Sequence, residues 1–179
     1  MPLPPAKVKQ LCRQSLPEIG VEPHQVQNGI DFYKFFYSNY KYKYADLRVY
    51  FRGAEKYTPE QIQKSPRFRR LGIGMLLSNG ILAATYDTPM VFKAFIRDLV
   101  DRHEERNLDP ELWVDFHSIF IKFLETKRPL TDEEKEAWLQ LGKDFSNECN
   151  THLKHRGLPY VGMEKRKSAE PEKEGSNEI

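Results

Sequence analysis

His103 is the residue of this 179-residue chain best placed to hold a metal. It continues the apolar stripe Phe92, Ile96, Leu99 by one helical turn and stands just before the charged run Glu104-Glu105-Arg106-Asn107. An imidazole on an apolar face at a helix end can reach past the backbone and bind iron or zinc in a dry pocket. A hydrogen-bonded core histidine would leave the same signature. The other histidines offer less. His24 follows Pro23 near a helix start. His152 and His155 lie near the end of the last helix, where cations suit the helix dipole. His117 sits in an aromatic-rich helix and reads as a satisfied core or boundary histidine.

Zinc is not expected, because it needs three or four converging Cys, His or carboxylate ligands. Cys12 and Cys149 are isolated in sequence. There is no G-x-S-x-G and no P-loop, and Gly72-Ile73-Gly74 lacks the third glycine and the preceding strand of a dinucleotide fingerprint. The run Tyr40-Lys41-Tyr42-Lys43-Tyr44 could stack on nucleic acid, but it reads better as an amphipathic loop or helix end without a wider basic footprint.

The elements that must position His103 are helical. Thr58-Pro59, Ser65-Pro66, Thr88-Pro89 and Asp109-Pro110 each put a capping side chain before a proline, and Thr131 to Glu134 has the capping-box pattern. A cap oxygen accepts from an orphan N–H of the first turn, and proline at the first helical position loses no hydrogen bond. Apolar spacings of three and four then predict helices over about 5–16, 24–40, 66–84, 89–103, 110–126 and 132–155, with short turns at 46–51 and 58–63. No stretch alternates with period two. Gly72, Gly74 and Gly80 fall inside the 66–84 helix, where glycine costs about 0.5–1 kcal/mol each. They imply either a closely crossing backbone or a flat ligand.

Composition agrees with one core. Apolar residues make up 39% of the chain, charged residues 30%, and net charge is +2. So small a charge points to no nucleic-acid or membrane partner. Two cysteines are no disulfide framework. Met1 to Gln10 shows neither a secretory leader nor a glycine at position 2, so a cytoplasmic protein is expected. Residues 163–179 are expected to form a disordered charged tail after a domain spanning 1–162.

One histidine, a helical sandwich, helix glycines and abundant Phe and Tyr also suit a haem held by a single histidine, since the porphyrin supplies four nitrogens itself. Five segments strengthen that reading: Asp31 to Phe36 (DFYKFF), Leu47 to Thr58 (LRVYFRGAEKYT), Phe92 to His103 (FKAFIRDLVDRH), Leu108 to Trp113 (LDPELW) and Trp138 to Phe145 (WLQLGKDF). In this order they resemble the globin family, and within it the intracellular, myoglobin-like globins of nematodes, over about residues 8–160. The resemblance implies an all-α globin fold, a helical sandwich around a haem crevice. It implies haem b (iron protoporphyrin IX) as cofactor and reversible binding of dioxygen and other diatomic gases for storage or transport.

By the same resemblance His103 is the proximal iron ligand, and Phe51 packs on the haem face. Tyr33 is the distal hydrogen-bond donor, and Leu71 stands where glutamine or histidine is usual. Gly72 is the small residue at a helix crossing. Met75 covers the ring and Leu99 lies beneath it, while Leu108, Leu112 and Phe116 form the wall. Two departures stand out. Leu71 removes a polar group from the pocket, and the longer Tyr40–Ala45 segment could shift Tyr33 in register. With no histidine from 25 to 102, an open sixth iron position is expected. Enzyme activity is not the expected main role, although nitric-oxide dioxygenation, nitrite reduction or weak peroxidase chemistry are open to such a haem. A gas or redox sensor and a haem-free interaction protein are the remaining alternatives, and a homodimer is compatible with the sequence.

Overall fold

The computed structural model describes residues 1–16, 22, 25–39, 41–42 and 45–158. His24 and the tail predicted over 163–179 lie outside the described residues. Among the described residues seven α-helices carry the fold: α1 (Pro5–Gln14), α2 (Gln27–Ser38), α3 (Pro59–Lys64), α4 (Pro66–Thr85), α5 (Pro89–Arg102), α6 (Glu111–Glu125) and α7 (Asp132–His155). The 3-10 turns Leu47–Tyr50 and Glu104–Arg106 lie between α2 and α3 and between α5 and α6.

Local chemistry sets most of the helix starts. Thr58 and Gln61 close a capping box on α3, and Thr131 and Glu134 close one on α7. Ser65 ends α3 in extended geometry and then accepts from the Phe68 amide to start α4, so one residue turns the chain between two helices. The expectation fails at Thr88. Its hydroxyl makes no cap and donates to Asp87 instead. At Asp109 the carboxylate accepts from the Glu111 amide at 2.9 Å, one residue before the helix proper.

One short ribbon accompanies the helices. Lys41–Tyr42 (β1) and Ala45–Asp46 (β2) form an antiparallel ribbon with Lys41 opposite Asp46 and Tyr42 opposite Ala45.

Helix α2 crosses α4, α6 packs along α7, and α1 and α5 both rest on α7 and α4. Phe32 sits at the centre, edge-on to Phe116, Phe120 and Phe123. Such pairs add roughly 0.5–1.5 kcal/mol each beyond burial, so much of the aromatic content serves the core. At the α2–α4 crossing Gly29 and Gly72 meet backbone to backbone. A Cβ on Gly72 would lie 2.5 Å from the Gly29 carbonyl carbon. Gly72→Ala is therefore expected to cost about 3 kcal/mol through overpacking, read as a fall of roughly 5–10 °C in melting temperature. Gly80→Ala, with nothing within 4 Å, should not lose stability.

Glu134 ties three elements together. It accepts from Arg128, from the Thr131 backbone N–H and from the Gln14 amide of α1. The Arg128 bond above all holds its carboxyl at about 2, against an ordinary 4.5. A lowered carboxylate stabilises the fold above its unfolded value and loses that contribution as pH falls through the folded value. Glu134→Gln should therefore cost about 2 kcal/mol at neutral pH. Denaturant titrations should show the gap to wild type closing as pH drops from 4.5 towards 2.

Candidate functional site

His103 caps the C-terminus of α5. Its Nδ1 lies 2.8 Å from the Leu99 carbonyl oxygen, one turn back. A carbonyl only accepts, so Nδ1 carries the proton and Nε2 keeps a bare lone pair. Burial lowers the pKa of the ring, and the Leu99 bond opposes this in part. The neutral form, the one able to bind a metal, is favoured. The Trp113 ring stands edge-on at 5.3 Å and limits how the imidazole can turn.

A cavity of about 260 Å³ opens beside it, between α2, α4, α5, α6 and α7. Six of the nine expected site residues line it together: His103, Leu99, Tyr33, Leu71, Met75 and Phe116. Tyr33 keeps this place despite the extra length after α2. Its ring is buried among Phe32, Phe51 and Phe68. Its hydroxyl has no hydrogen-bond partner among the described residues, and burial pushes its pKa up. The phenol thus stays a proton-bearing donor across the physiological range.

The other three expected residues stand apart. Phe51 is 5.6 Å from the Tyr33 ring, in a cluster with Phe36, Tyr37 and Phe68, behind the cavity wall rather than in it. Leu108 lines a smaller cavity of about 100 Å³ with Val100, Trp113 and Cys149, which His103 also borders. Leu112 is buried in the core and lines neither cavity.

The lining contains residues that the sequence argument passed over. Arg70 and Arg102 line it from exposed positions, each one residue before an expected site residue. That adjacency was the available signal. Trp113 and Phe145 add apolar wall, with their rings 4.7 Å apart. Asn79 and His117 add buried polar atoms. His117 is only half satisfied. Nδ1 meets the Trp113 carbonyl at 2.6 Å, while Nε2 has no partner among the described residues.

Gly74 also lines the cavity, and a Cβ there would meet nothing within 4 Å. The glycines of α4 thus divide: Gly72 allows a close helix crossing, and Gly74 leaves room at the rim. Among the described residues no group of three His, Cys, Asp or Glu side chains could share a metal. His103 would then be a lone protein ligand. A flat macrocycle that brings its own four nitrogens fits this donor set, with apolar walls for its faces and two guanidiniums near the rim for anionic substituents.

A family model described as Globin matches residues 34–149. A myoglobin of Nippostrongylus brasiliensis is 46% identical over 157 residues, which is 87% of this chain and 99% of that protein. A cuticular globin isoform of the same organism is 42% identical over 159 residues, 88% of this chain and 90% of the relative. The solved globin-like protein of Caenorhabditis elegans superposes with a TM-score of 0.80 at 40% identity, covering 89% of this chain and 99% of that one.

Proposed function

This chain belongs to the globin family and has the globin fold, and from that premise we propose that it binds dioxygen reversibly at a haem b held by His103, as a store or carrier. Haem, when bound, supplies an iron to which a diatomic gas can add, and its ring fills four of the metal's positions.

The carrying observation is the pairing, across one cavity, of a neutral imidazole with a free Nε2 and a phenol with an unspent donor. The Leu99 carbonyl fixes which nitrogen of His103 is free and how the ring is turned, as outer partners of ligating histidines do. Leu99, Met75 and Phe116 give apolar walls that keep water away from the ring. Tyr33 can steady a ligand that carries partial negative charge at its far end. Leu71 brings neither acid nor base, which favours a carrier over peroxide-cleaving chemistry. Arg70 and Arg102 would pair with carboxylates at the haem edge.

Cys12 and Cys149 are both free and buried, which suits the reducing interior of a cell. Among the described residues no helix is long and apolar enough to cross a membrane.

Visible absorption of the purified protein, reduced and oxygen-free, tests the reading. A single broad band that splits into two on oxygenation and reverts on its removal is expected. Two sharp bands before oxygen is added would mean an internal sixth ligand and overturn the open site. No haem absorption after haem is added would overturn the proposal as a whole.

A further inference from the structure

The cavity is walled mainly by apolar side chains, yet Asn79 of α4 and His117 of α6 line it with buried polar ones, 2% and 1% exposed. Asn79 gives its amide N–H to the Met75 carbonyl at 3.0 Å, and its Oδ1 is buried without a partner among the described residues. His117 gives Nδ1–H to the Trp113 carbonyl, and its Nε2 is likewise buried without a partner among the described residues. Both orphaned atoms are therefore acceptors. Burial pulls the His117 pKa down to about 4, so the ring stays neutral and cannot become a donor at physiological pH.

The His117 ring has little room to turn. Trp138, Phe145 and Phe116 surround it, and a Cβ on Gly142 would lie 2.9 Å from its Cβ and Cγ. Asn79, Leu82, His117 and Phe145 are the deeply buried members of the lining, whereas Arg70, Gly74 and Arg102 are exposed. Asn79 and His117 thus belong to the inner end of the cavity.

We propose that this inner end is a binding site for water, held by donation to His117 Nε2 and Asn79 Oδ1. Cavities that stay empty are apolar, whereas buried waters are found where polar groups lack partners. The ligand must bring protons to two acceptors, which water does and dioxygen or carbon monoxide does not. A metal ion would lack the further ligands it needs. The site thus divides the cavity. Its inner end is wet and poor for apolar gases, and its outer part, walled by Leu71, Met75 and Phe116, remains dry. The inference rests on His103, not His117, holding the haem.

A high-resolution structure of the haem-loaded protein, with and without xenon, tests this directly. An ordered solvent peak within hydrogen-bond distance of His117 Nε2 or Asn79 Oδ1 is expected, with no xenon beside it. In the double variant His117→Leu, Asn79→Leu the peak should vanish and xenon should enter. A wild-type inner end without solvent, or one holding xenon as fully as the variant does, would overturn the proposal. Asn79→Leu alone, close to isosteric, guards against a double variant that does not fold. Relaxation dispersion of water oxygen should count about one fewer long-lived internal water in it. An unchanged count would overturn the proposal too.

Discussion

Replacing His103 with glycine is expected to speed haem loss to an acceptor protein by more than about a hundredfold. That figure is the upper end of what removing even an outer partner of a metal ligand costs, and here the ligand itself goes. Two neutral imidazoles line the same cavity, each with Nδ1 committed to the carbonyl four residues earlier and Nε2 free. The environment decides between them. His103 ends its helix, is half-buried, and has the edge of Trp113 as its one close ring. His117 is wedged against Trp138, Phe145 and Gly142 and cannot follow an iron. His117→Leu is the matched control and should retain haem. Added imidazole should restore the spectrum of His103→Gly by filling the vacated space. Wild-type retention in His103→Gly, with loss in His117→Leu, would transfer the ligand role to His117.

What could be read beforehand follows the range of the interaction. Thr58, Ser65 and Thr131 act on amides three residues away, so their side chains alone announce the helix starts. Thr88 carries the same dipeptide and makes no such cap; its hydroxyl donates to Asp87. The ribbon at Lys41–Tyr42 and Ala45–Asp46 is too short to show any periodicity. Gly72 could be read as a close approach, but its partner Gly29 is a contact across the fold.

The site divides in the same way. His103 was legible as the continuation of its helix's apolar stripe, and Tyr33 through the family likeness. The unpaired Nε2 of His117 was not. Burial of that helix face and the Trp113 carbonyl one turn back are local, but what faces Nε2 depends on the elements packed against α6. Phe51, Leu108 and Leu112 came from likeness alone. The cavity wall passes in front of the first, leaves the second to a neighbouring space and does not reach the third.

Tyr33→Phe, the second large effect, should raise the dioxygen dissociation rate about tenfold while leaving haem retention and fold intact. One hydrogen bond from a buried donor is worth roughly 1.5 kcal/mol, and about 1.4 kcal/mol is a factor of ten in rate. The phenol is suited to the task because nothing else claims it. Its hydroxyl has no partner among the described residues, burial keeps it protonated, and Phe32, Phe51 and Phe68 hold the ring edge-on from three sides. Little rearrangement is then needed when a ligand arrives. Leu71 adds no second donor, so the effect should not be masked by a neighbour. Carbon monoxide, which develops less charge, should dissociate at a nearly unchanged rate in the same variant. A dioxygen rate that stays at the wild-type value in stopped-flow displacement would mean that the hydroxyl does not reach the ligand. Equal acceleration for both gases would instead mean that the substitution had loosened the cavity wall rather than removed a hydrogen bond.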